Sequence, residues 1–203
     1  VVTIYEAYDK TERIAWGIDK AKNEDLFLKE KRIYELSQIE NGMPKVQPYQ
    51  IGFRLLTTLL QTYSGDIDAV IASLKDVKEE QKETLRRRCV CAWYWIKESA
   101  PDCAPDFCFT LREDGSKAED ISGEMLTAVR RVRDEIVPRL DTFAVDKECQ
   151  QAMYDIATEL GLESKALFTA LYHALIGKDQ GPRLASFFRI IGKEKLQKIL
   201  SVY

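Results

Sequence analysis

The residues with the most chemical potential in this 203-residue chain are five cysteines, one histidine and several clusters of arginine and lysine. Zinc sites usually draw their thiolates from CxxC knuckles on turns, because four ligands must converge tetrahedrally. Cys89 and Cys91 lie two apart in a helical pattern and so point about 160° apart around the axis. Cys103 and Cys108 are separated by four residues that include Pro105. Buried small hydrophobes account for these cysteines better than a metal does. With Cys149 the count is odd and nothing indicates secretion, so reduced thiols in a cytoplasmic protein are expected rather than a disulfide framework. His173 sits in the helical stretch 165–176 with no Ser or Cys motif near it, which makes packing or surface its expected role. There is no glycine-rich phosphate loop and no HExxH pair. The expectation is a chain with no catalytic residue and no metal.

The basic residues are more informative. Net charge is −3, so any binding of an anionic partner must come from patches. One focus is Arg86, Arg87 and Arg88; a second is Arg130, Arg131 and Arg133. A third runs from Lys178 to Lys198, where Lys178, Arg183, Arg189, Lys193, Lys195 and Lys198 face only Asp179 and Glu194. Taken singly, each is explained by a solvated helix face. Several have aromatics nearby in sequence: Phe143 follows Pro138 and Arg139, Tyr49 and Phe53 flank Gln50 near Arg54, and Trp93 to Trp95 follow the arginine triplet.

The elements that must position these groups read as helices throughout. Leu85, Cys89, Ala92 and Ile96 form one apolar stripe, and Ile121, Met125, Ala128, Val132, Ile136 and Leu140 form another over 121–140. Further stripes are Met153, Ile156 and Leu160; Leu167, Leu171 and Leu175; Leu184, Phe187 and Ile191; and Leu196 with Leu200. No segment alternates at period two long enough for a strand, so the fold class is all-α. Gly161, Gly177 and Gly192 follow stripes where a left-handed cap would end a helix. Ser164 is placed as an N-cap and Pro182 in a first turn. An early helix is expected over about 23–38, with a loop at Asn41-Gly42 through Pro48 and a long connection from Ser99 to Gly115. Hydrophobic residues are 45% and charged residues 31%, as in ordinary globular proteins. No apolar run is long enough for a bilayer.

Two blocks carry a resemblance. Leu167 to Leu200 reads LFTALYHALIGKDQGPRLASFFRIIGKEKLQKIL, which resembles the end of class I lysyl-tRNA synthetases. There an aromatic-rich helix runs into LxG, a basic loop, GPR, an apolar helix and a final glycine: here Leu175, Gly177, Lys178, Gly181, Pro182, Arg183 and Gly192. Glutamyl-tRNA synthetases end with a related pattern. The stretch Tyr8 to Ile14 followed by Trp16-Gly17 is similar to the lysyl family's YDxxERIYFG segment, with Ala15 and Trp16 where Tyr and Phe are usual. Arg32 to Ser37 is similar to its RRYELS helix end. Pro48-Tyr49-Gln50, Phe53-Arg54, Leu59 to Gln61, Cys91-Ala92-Trp93 and Phe107-Cys108-Phe109 extend the match in order along nearly the whole chain.

The resemblance implies a multi-helix anticodon-binding domain of the class I aminoacyl-tRNA synthetase type over 48–203, preceded at 1–47 by the end of the connecting, stem-contacting region. The HIGH and KMSKS signatures are absent and lie upstream in the family. With Val1 in place of a starting Met, this implies a piece whose N-terminal catalytic domain precedes it. The intact enzyme then joins lysine to tRNA(Lys) in the cytoplasm with ATP and magnesium; this piece holds no cofactor. Reading an anticodon needs aromatic faces and polar edges for unstacked bases. Phe143 is the expected platform, with Arg54, Arg86, Arg87, Arg88, Arg139, Lys178 and Arg183 as tRNA-binding bases. Phe187 and Trp93 are assigned to packing. The rival readings are the matching part of a glutamyl-tRNA synthetase, a helical protein-interaction adaptor with an apolar patch and no basic groove, and a zinc-dependent enzyme.

Overall fold

A computed structural model describes residues 2–38, 42–112 and 115–203, so Asn41 and Asp114, both read as loop residues, lie outside the described residues. The described residues contain helices and no strand, in agreement with the all-α expectation. The chain divides into two compact units, Val1–Glu98 and Ser99–Tyr203.

The first unit holds α1 (Val2–Ala15), α2 (Glu24–Leu36), α3 (Phe53–Thr62), α4 (Ile67–Ser73) and α5 (Glu79–Glu98). Asn23 caps α2 by accepting from the Leu26 amide, and Asp66 caps α4 in the same way through Ala69. The stripe Leu85, Cys89, Ala92 and Ile96 is buried on α5, as its spacing predicts. Phe53 is buried, stacked 4.2 Å from Tyr5 and tilted against Trp95. Its backbone N–H donates to Asp9 on α1 at 2.7 Å, so a side chain from α1 caps α3. These bonds tie residues 48–98 to residues 1–47. The division by packing falls at 98/99, which is a different division from the 47/48 one that the resemblance implies.

The second unit begins with a short α6 (Ala100–Cys103) and a 3-10 turn (Pro105–Phe107) inside the expected long connection. Then come α7 (Gly123–Arg131), α8 (Asp146–Glu159), α9 (Ser164–Ile176), α10 (Leu184–Ile191) and α11 (Lys193–Leu200). The apolar stripes meet in one core in which Met153, Leu167, Leu171, Leu175, Phe187 and Leu196 are wholly buried.

Three local expectations change. The stripe over 121–140 is not one α-helix: α7 passes into a π turn (Val132–Ile136) and then a 3-10 turn (Val137–Thr142). Pro138 has no N–H, and its ring would clash with the carbonyl four residues back, so a regular helix cannot continue. Val137 bonds five residues back instead, to Val132, and the widened turn keeps Val132, Ile136 and Leu140 in the core. Ser164 is the first helical residue and Glu163 is the cap position. Pro182 lies before the cap position Arg183, so α10 starts later than expected. Gly177 does end α9 in the left-handed conformation, with φ 66° and ψ 30°.

Candidate nucleic-acid interface

In the second unit the π-to-3-10 transition places Arg139 in the 3-10 turn and Phe143 just after its end. The Arg139 guanidinium lies over the Phe143 ring, 5.5 Å from its centroid, within cation–π range. Phe143 is half-buried and part of its ring packs against the core. Its carbonyl accepts from Arg189 Nη2 on α10 at 2.6 Å. Arg189 also pairs with Asp146 at the start of α8 at 2.7 Å, and Ser186 donates to that same carboxylate. Arg189 thus fixes the main chain at Phe143 while neutralising Asp146. Beneath this layer, burial pushes the Cys149 thiol up to about 11, with Arg189 pulling the other way. It is a packing residue rather than a nucleophile.

Beside the cluster lies an open cleft of ≈ 370 Å³ between α8 and α10, lined by Asp146, Lys147, Gln150, Tyr154, Arg183 and Ser186 among others. Arg183 and Lys147 are exposed. Arg139, Phe143 and Arg183 are therefore gathered in one region of the second unit.

Lys178 is placed otherwise. It donates to the carbonyl of Pro105 at 2.7 Å, pinning the 3-10 turn to the end of α9. Next to it, His173 sits between Asp120 on Nδ1 and Asp179, which is 2.7 Å from Nε2. Burial works against the imidazolium, but the bonds to Asp179 and Asp120 outweigh it and raise the His173 pKa above its ordinary value. The histidine is a structural bridge. The focus at Arg130, Arg131 and Arg133 is also internal. Arg130 bonds the Tyr203 carbonyl at 2.6 Å, Arg131 pairs with Glu135 and Glu159, and Arg133 pairs with Asp134.

In the first unit the arginine triplet splits. Arg88 turns inward onto Asp9 and, at 3.6 Å, Glu12. Glu12 is buried, accepts from Tyr34 and Gln50, and has its pKa raised by burial against the pull of Arg88. Arg86 makes an exposed pair with Asp68, and Arg54 an exposed pair with Glu6. Arg87 is exposed with no ion-pair partner among the described residues. Phe53 is core, Tyr49 donates to the Lys75 carbonyl, and Trp93 lies against Gly65, so these aromatics serve packing. No group of three or more His, Cys, Asp or Glu side chains suited to a metal occurs among the described residues. No helix there is long and apolar enough to cross a membrane.

Sequence reading did not single out Asp146, Gln150, Tyr154 or Ser186, and it counted Arg189 only as charge. The Gln150–Tyr154 pair had a signal in its i,i+4 spacing on α8. The Arg189 contacts had none, since they join residues far apart in the chain.

Residues 106–201 match the anticodon binding domain family. Over its whole length the chain is similar to proteins named lysine–tRNA ligase. Identity is 50% to that of Treponema pallidum and 36% to that of Borreliella burgdorferi, each aligned with 100% of this chain. It is 33% to that of Thermococcus kodakarensis, over 98% of this chain. The chain spans 38% of the length of each of these relatives. The matched names favour the lysyl over the glutamyl alternative.

Proposed function

We propose, for a chain that belongs to the class I lysyl-tRNA synthetase family and carries its anticodon-binding domain, that it grips the anticodon loop of tRNA(Lys). An upstream catalytic domain, in the cytoplasm, joins lysine to that tRNA with ATP and magnesium. No residue of this chain is assigned to either cofactor.

The observation that carries the reading is the Arg139–Phe143–Arg189 cluster beside exposed Arg183, all within the residues that match the anticodon binding domain. A loop base unstacked from RNA needs a planar face, and the Arg139 guanidinium layered on Phe143, whose backbone is held from α10, offers that platform. Arg139 and Arg183 supply guanidinium planes and charge for the phosphates on either side. In the first unit, Arg54, Arg86 and Arg87 can meet tRNA backbone, because the two exposed ion pairs among them are weak enough to exchange for phosphate. Arg88 is held by two carboxylates and belongs to the fold. Lys178 commits one of its three N–H donors to the Pro105 carbonyl, which fixes where its charge can meet RNA.

The test is tRNA binding by this chain with a lysine anticodon and with a scrambled one. Tighter binding of the lysine form, lost on Phe143→Ala, supports the reading. Equal binding of both, unchanged by Phe143→Ala and Arg183→Ala, sinks it.

A further inference from the structure

We infer that Tyr172 is a positioning residue for Arg183: its hydroxyl fixes the main chain from which that guanidinium reaches a tRNA phosphate. The inference rests on the anticodon-binding proposal and goes further by naming what holds one of its arginines in place.

Residues 177–183 join α9 to α10 without helical structure, and most of them are exposed. A basic side chain on a loose connection must be ordered when it binds, which subtracts from affinity. Here the connection is fastened. Lys178 donates to the Pro105 carbonyl and Asp179 lies against His173 Nε2, each at 2.7 Å. Those two bonds secure the start of the connection. Its end, at Pro182 and Arg183, is left to Tyr172 on α9.

Tyr172 makes two contacts there. Its hydroxyl donates to the Pro182 carbonyl at 2.7 Å. Its ring lies so close to Gly181 that a Cβ added there would come within 3.1 Å of Cε1, and within 2.8 Å of Ile176 Cδ1. The Pro182 carbonyl belongs to the rigid peptide plane that ends on the Arg183 nitrogen. On the other side of the Arg183 Cα, its own carbonyl accepts from the Phe187 amide at 2.8 Å, at the start of α10. Arg183 is therefore held from α9 on one side and from α10 on the other. What stays free is its exposed side chain, which pairs with no carboxylate among the described residues.

The Tyr172 ring packs against the core of the second unit, and burial raises its pKa, so the hydroxyl stays a donor well above neutral pH. Phenylalanine would serve that packing equally. What the hydroxyl adds is the bond to the Pro182 carbonyl.

The experiment is a double-variant cycle on tRNA(Lys) binding by this chain. Tyr172→Phe keeps the ring and removes the bond, and should weaken binding about three- to tenfold, the worth of ordering one long side chain. The salt dependence should stay that of the wild type, because the phosphate contact is still made once the RNA is bound. In the Arg183→Ala background the same change should alter affinity by less than about twofold. In Arg87→Ala, which removes a base of the first unit, it should keep its full effect. Gly181→Ala keeps the hydroxyl and displaces the chain beside the ring. It should repeat the pattern, with a loss in the wild type that disappears without Arg183. If Tyr172→Phe and Gly181→Ala leave binding unchanged, or weaken it as much without Arg183 as with it, the positioning role is refuted and the contact of Arg183 with RNA stands on its own. If Arg183→Ala binds tRNA as tightly as the wild type, the proposed contact fails and takes the positioning role with it.

Discussion

The indole of Trp93 fills the space in which a side chain at Gly65 would begin: a Cβ there would lie 2.3 Å from the indole Cε2. Gly65 also has φ 83°, in the region that side chains avoid. The turn between α3 and α4 and the packing of α5 therefore depend on the same missing methyl group.

Gly65→Ala combines backbone strain with an overlap against a rigid ring and should destabilise the first unit by on the order of 2–4 kcal/mol. Trp16, Trp93 and Trp95 are the chain's three tryptophans and all lie in that unit. Denaturant unfolding followed by tryptophan fluorescence reads it selectively, and an unchanged midpoint would contradict the packing described.

Neighbouring arginines should behave in opposite ways. Arg88→Ala strands Asp9 and the buried Glu12 without their counter-charge, at a cost on the order of 3 kcal/mol. Arg87→Ala should shift stability by less than about 0.5 kcal/mol and instead weaken tRNA binding. The same fluorescence titration, with a filter-binding assay beside it, separates the two effects.

The His173 bridge makes the second unit pH-sensitive. Its folded-state pKa is raised above 6.5 despite burial, through Asp179 and Asp120. Folding therefore favours the protonated ring. That contribution is complete below the ordinary imidazole value and is lost as pH rises through the raised one. Amide protection in α9, corrected for intrinsic exchange, should fall across that window. His173→Gln should flatten the profile, and an equally steep profile in the variant would remove His173 as its source.

Phe143→Ala and Arg183→Ala should part company on RNA. Losing the platform should cost on the order of 1–3 kcal/mol with the lysine anticodon and less with a scrambled one. Losing Arg183 should weaken both and reduce the salt slope by about one phosphate's worth. Equal losses on both anticodons for Phe143→Ala would make it a packing residue only.

Helical periodicity is a local property, and it was enough to expose the fold class and the buried stripes on α5, α8 and α9. The division at 98/99 was hidden because it depends on pairings such as Arg88 with Asp9, 79 residues apart. The nearness of charge and aromatic at Arg139 and Phe143 was legible, since they lie four residues apart just after Pro138. The support from Arg189 was not, because it arrives from 46 residues away. Pro138 announced an interruption, but not that a wider turn would absorb it with the stripe still buried. The arginine triplet read as one patch because spacing along a helix says nothing of which guanidinium meets buried carboxylates.

Arg189 touches both ends of the candidate interface, binding the Phe143 carbonyl with one nitrogen and Asp146 with another. Platform and cleft therefore share a single brace. Neither can shift without stretching a bond that also holds the other, so removing Arg189 should loosen both at once. Double variants spanning the two should not be additive. An anticodon loop would be judged as a whole shape, with neighbouring bases accepted or refused together.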